Sequence, residues 1–158
     1  MCYYITGIIS KKSNLRYINM VGKVFGMEFR PCKNRFVSAQ LEADELYIWK
    51  YTDLCDCGTA LGKESQSRMT RRIHLEPGEA PQETRSEKID KLQLEDWLNF
   101  LEIILVEKKL SGKFGLMLHF YQGRVSDEKV RILRREDVKA TEKQLSSMEE
   151  DILYVYSA

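Results

Sequence analysis

Between Leu94 and Leu110 apolar residues recur every three or four positions. Leu94, Trp97, Leu98, Leu101, Ile104 and Leu105 form one stripe, which Phe100, Ile103 and Val106 widen. A helix with so broad an apolar face has to be the central helix of a core, packed against other elements over most of its length. Lys108 and Lys109 suit the negative end of its dipole, and Ser111-Gly112 ends it.

What that helix packs against is written in period two. From Cys2 to Ser10 both alternating faces are mostly apolar, which predicts an inner strand. Ser13 is the expected N-cap of a helix from about Asn14 to Phe25, with Leu15, Ile18, Val21 and Phe25 on one side and Gly26 as the stop. Phe29 to Asn34 carries the residues of an irregular connection, and Leu46 to Tyr51 reads as the second strand. Phe114 to Tyr121 is the third, and Lys129 to Leu133 is expected to pair back on it as a fourth. Thr141 with Glu142 opens a short helix through about Met148, and Ile152 to Tyr156 closes the chain as a last strand. The expectation is one α+β domain over residues 1–158, with a mixed sheet of four to five strands and about three helices packed on it.

Residues 62–88 stand apart, with no aromatic side chain, two prolines and interleaved arginine and glutamate, the composition of a long surface excursion. A turn of helix near 63–67 and a flap packed by Ile73 and Leu75 are expected there. With 25 basic residues against 24 acidic ones, any basic patch must be local. Arg68, Arg71, Arg72 and His74 could bind phosphate, and Arg131, Arg134 and Arg135 could form a strip. Acidic neighbours interrupt both, which argues against nucleic acid as the main partner. No apolar run is long enough to span a bilayer, and Met1 to Gly7 lacks the basic start of a signal peptide. The expected setting is therefore a reducing cytoplasm, where thiols stay free or bind metal.

The chemistry concentrates at Cys55-Asp56-Cys57-Gly58-Thr59, two of the four cysteines of the chain in three residues. If Cys2, Cys55 and Cys57 converge, with Cys32, His74 or His119 as a fourth ligand, the donor set matches a tetrahedral zinc site. Joint ligation by the C-x-C pair is expected to use the turn that Asp56 and Gly58 favour. The same residues permit two other readings: inert, buried thiols, or redox or nucleophilic chemistry at the Cys55/Cys57 pair or at Cys2. His119, in the third strand, is expected to face away from Phe114, Leu116 and Leu118 as a hydrogen-bonded sheet histidine. Tyr47, Trp49 and Tyr51 share a strand face and are expected to pack under a helix, while Glu149-Glu150-Asp151 reads as helix-end charge.

Met1-Cys2 with Tyr4, and Cys55 through Gly62, resemble small uncharacterised bacterial proteins with an M-C-x-Y start and a C-D-C-G-T-x-L-G segment, a resemblance that implies no activity. Met1-Cys2 also resembles the opening of class II glutamine amidotransferases and of proteins that crosslink to abasic DNA. Tyr3 here stands in place of their glycine. No cofactor loop or hydrolase motif accompanies the cysteines. The function expected is thus a small non-catalytic factor of immunity or inhibitor type that binds another protein, its thiols either merely structural or zinc-binding. The alternative is a small enzyme with a working thiol or metal centre at the C-D-C loop.

Overall fold

A computed structural model describes residues 1–65, 85–107 and 112–157. The chain forms one six-stranded mixed sheet. Its strands are β1 (Cys2–Ser10), β2 (Phe29–Pro31), β3 (Glu45–Lys50), β4 (Lys113–Tyr121), β5 (Arg134–Val138) and β6 (Ile152–Ser157), in the spatial order β2-β3-β1-β4-β6-β5. Its named helices are α1 (Leu15–Val24), α2 (Arg35–Ser38), α3 (Arg85–Val106) and α4 (Glu142–Ser146), and residues 63–65 are also helical. The expected flap and the Arg68, Arg71, Arg72 and His74 patch lie outside the described residues.

β1 is central because both of its faces are apolar. Ile5 and Ile9 enter the larger core with Ile18 of α1, Trp97, Leu101 and Ile104 of α3, and Leu145 of α4. Ile8 points the other way, into a second core with Val37 of α2, Tyr47, Met117, Tyr121 and Leu153. Gly7 lets β1 and β4 approach closely, since a Cβ there would sit 1.8 Å from the Gly115 carbonyl oxygen. Leu94, Trp97, Phe100, Leu101, Ile104 and Leu105 are the spine of the larger core, whereas Ile103 and Val106, expected to widen the stripe, are exposed, and α3 begins at Arg85, well before the periodicity becomes clear. Asn14, not Ser13, caps α1, its side-chain oxygen accepting from the Tyr17 amide at 3.1 Å.

The sheet departs from expectation at both edges. β2, read as irregular, pairs antiparallel with β3. Residues 129–133 are not a strand: side-chain amides from the α2 region bind the backbone from Val125 to Ile132 in place of a partner strand. Asn34 Nδ2 donates to the carbonyls of Val125 and Glu128 (2.9 Å each), while Gln40 donates to Val130 and accepts from the Ile132 amide. The edge of β4 goes instead to β6, with β5 parallel to β6 beyond it. Tyr47 and Trp49 accordingly face α2 and the 122–133 segment, away from the long helices.

β3 and β5 lie four strand spacings apart, about 4.8 Å each in a flat sheet. Arg135 of β5 nevertheless donates to the buried Glu45 of β3 at 3.1 Å, so the sheet curls around its second core. Burial pushes the Glu45 carboxyl up, but hydrogen bonds from Arg135 and Lys113 outweigh it and bring it down to about 2.

Candidate thiol centre

β3 ends at Lys50, leaving the first residues of β1 without a strand on that side, since the β1–β3 register stops at Thr6 opposite Trp49. The backbone groups of Tyr3 and Ile5 that face the gap must find other partners. The chain turns through 51–54 and supplies them. The Asp56 amide donates to the Tyr3 carbonyl (2.8 Å), the Ile5 amide to Asp56 Oδ2 (3.0 Å) and the Tyr3 amide to Cys57 Sγ (3.3 Å). Tyr4 adds a hydrogen bond from its hydroxyl to the Leu54 carbonyl at 3.0 Å.

Asp56 is the anchor of this substitute strand. It is 6% exposed, and its second oxygen accepts from Lys50 Nζ at 2.7 Å, so both carboxylate oxygens are engaged and the charge is paired. With Asp56 turned inward, the residues on either side of it keep their sulfurs outward, as alternation along a chain directs. The expected turn is present: the Thr59 amide donates to the Asp56 carbonyl, with Cys57 and Gly58 between them, and the chain continues to Ala60, whose amide donates to Gln93 of α3. Gly62, at φ 68°, then passes so close to Leu118 and Met148 that a side chain has no room.

The outcome is that the sulfurs of Cys2, Cys55 and Cys57 all lie within 4.8 Å of one another. All three cysteines are free thiols; Cys2 and Cys55 are half-buried and Cys57 is exposed. They are not equivalent. A hydrogen bond from the Cys57 backbone, then ones from the Cys57 and Cys2 thiols, hold the Cys55 thiol below its ordinary value. The same contact with Cys55, together with burial, pushes the Cys57 thiol up. Cys55 is therefore the sulfur that ionises before Cys57.

Cys32 is not part of this set, which corrects its place among the candidate ligands. It packs in the second core, its thiol 3.9 Å from the Val125 carbonyl, and burial pushes that thiol up to about 11. The physical reason is that β2 sits beyond β3 and hands the chain to the face covered by α2. His74 lies outside the described residues.

His119 is also elsewhere, on the face away from Leu116 and Leu118, as expected, in a cluster of its own. Its Nδ1 is 2.5 Å from Asp151 and 3.8 Å from Glu150, and its Nε2 is 3.4 Å from Glu128. Burial lowers the imidazole pKa, but Asp151 and then Glu128 raise it further, for a net rise. Glu150 and Asp151 are thus more than helix-end charge. Glu150 accepts from the Phe120 amide, and Asp151 holds a left-handed backbone (φ 62°) while its amide donates to the Leu118 carbonyl. The signal for this cluster in the sequence is one histidine in an otherwise apolar and aromatic strand.

A cleft of about 360 Å³ opens beside Cys55, between the end of α1, the 55–59 loop and the middle of α3. Sequence reasoning gives no sign of it, because Met27, Lys50, Cys55 and Trp97 meet only through the fold. Comparison with known proteins finds no matching family model, no matching curated protein and no matching solved structure.

Proposed function

We propose that Cys2, Cys55 and Cys57 bind a zinc ion as thiolates and that this ion fastens the 55–59 loop to the first strand of a non-catalytic, protein-binding factor. The observation that carries the metal reading is the meeting of three sulfurs from two segments more than 50 residues apart in sequence, all within 4.8 Å. Zinc–sulfur bonds of about 2.3 Å in a tetrahedron place sulfurs about 3.8 Å apart, a closure that small side-chain rotations achieve. The donors are soft and uniform, which favours zinc or another thiophilic ion over magnesium or calcium. Asp56 is not a fourth ligand, because Ile5 and Lys50 occupy its oxygens. Among the described residues no fourth ligand joins the three thiolates, which leaves one coordination position open.

A binding role is favoured over catalysis because both ring nitrogens of His119 are engaged by carboxylates, which leaves the thiols without an imidazole base among the described residues. One observation supports the enzyme reading: Cys55, with its lowered pKa, lines a cleft. Metal analysis of protein purified without chelators, paired with counting of thiols that react in the native state, separates the two. One zinc per chain with three thiols silent until a chelator is added is the expected result. A metal-free protein with a single fast thiol overturns the zinc reading in favour of a working cysteine.

A further inference from the structure

Of the three clustered sulfurs, Cys55 alone lines the cleft. The floor is apolar, from Ile5, Met27 and Trp97, and the rim is polar. Its volume of about 360 Å³ suits a small molecule rather than a peptide. Gln93, Asp96 and Trp97 come from one face of α3, at i, i+3 and i+4.

The charges around the cleft do not balance. Lys50, its cation, is committed to Asp56 at 2.7 Å, and that pair is neutral. Asp96 is exposed at the rim and has no hydrogen bond or ion pair among the described residues. The carboxyl end of α1, the negative end of its dipole, enters the cleft at Phe25 and Gly26. A cationic head over an apolar body is the guest these walls fit, with its reactive atom a sulfur, since Cys55 is part of the lining.

We propose that this cleft is a modification site that seats a small amine-bearing disulfide, its ammonium at Asp96, and transfers one half of it to Cys55. The Cys55 thiolate attacks one sulfur of the disulfide. The original S–S bond breaks, a new one forms between Cys55 and that half, and the other half leaves as a thiolate that takes a proton from water. The disulfide is the oxidant, and nothing else is consumed. The site does not depend on zinc, but zinc ligated by Cys55 would block it.

The test uses the full chain, metal-free in the presence of a chelator. It compares initial rates with cystamine (cationic), 3,3′-dithiodipropionate (anionic) and 2-hydroxyethyl disulfide (neutral), each normalised to its rate with a free thiol. The expected result is a preference of roughly tenfold or more for cystamine over the anion, as close opposite charges near a surface provide. Peptide mass mapping should place the adduct on Cys55, and Asp96→Asn should bring the preference close to that expected from net charge alone. Asp96 is exposed, and far-UV circular dichroism checks that this variant stays folded. Equal normalised rates for cation and anion, a preference untouched by Asp96→Asn, or an adduct first on Cys57 or Cys2 would each overturn the proposal. Protein preloaded with zinc should react at least tenfold more slowly. If zinc fails to protect while the charge preference persists, the zinc reading falls and the cleft stands.

Discussion

Two polar clusters sit at the same end of the sheet, one at Cys2, Cys55 and Cys57 and one around His119, and they differ in how completely their groups satisfy one another. Tyr4 of β1 lies opposite His119 of β4, and Cys2 lies opposite Tyr121, so both clusters brace the same strand pair. Around His119 every strong group has a partner: the imidazole meets Asp151 and Glu128, Glu150 takes the Phe120 amide, and Glu128 takes the amides of Gln122 and Gly123. At the thiol corner the same economy holds for Asp56, between Ile5 and Lys50, but the sulfurs have little beyond two backbone amides and each other. The closed cluster is architecture. The open one keeps donor capacity that a metal or an electrophile can take up.

The sharpest way to break this contrast is metal linkage. Zinc at 1,000 times its dissociation constant should add about 4 kcal/mol to unfolding free energy. Urea melts with zinc and with chelator should show that gap in the native sequence and lose it in Cys55→Ser, whereas His119→Gln should keep it. Next in size is Asp56→Ala, which strands Lys50 and the Ile5 amide at a half-buried strand edge and should cost about 3 kcal/mol with or without metal. If that variant loses zinc affinity but no metal-free stability, Asp56 is a ligand and not an anchor.

The His119 cluster should respond to pH instead of metal. Its folded pKa is raised above the ordinary value, so its contribution is fully present below about pH 6.5 and is lost as pH rises through the folded value. His119→Gln should therefore destabilise by about 1 to 2 kcal/mol at pH 5.5 and less at pH 9, read from urea midpoints at the two pH values. A variant whose deficit grows with pH would contradict the ion-pair account. The smallest effect is expected for Cys32→Ala, about 1 kcal/mol from lost packing in the second core, with zinc stoichiometry unchanged.

How much of this was legible beforehand depended on whether a residue's role followed from its own neighbourhood. The stripe of α3, the two apolar faces of β1 and the Thr141 cap follow from local periodicity and capping chemistry, and the structure has each of them. β2 and β5 did not announce themselves. Arg30 and Pro31 look like a turn, and Arg134 to Asp137 is an unbroken run of charge, yet edge strands tolerate both because one side faces water. The fourth strand is not where periodicity puts it, because Gln40, some 90 residues upstream, takes the backbone groups of Val130 and Ile132 that a hairpin would use. At the site, the local pair Cys55/Cys57 could be seen at once. That Cys2 joins it while Cys32 does not depends on β1 lying on one side of β3 and β2 on the other, which no window of sequence contains.

The most direct measurement of the central claim is cobalt(II) substitution of the anaerobic, reduced protein, because thiolate ligation gives cobalt an intense charge-transfer absorption. One equivalent should develop that absorption, and Cys2→Ser, Cys55→Ser and Cys57→Ser should each weaken it, with Cys32→Ser leaving it intact. A spectrum indifferent to Cys2, or one that requires Cys32, would contradict a metal held between the first strand and the loop after β3.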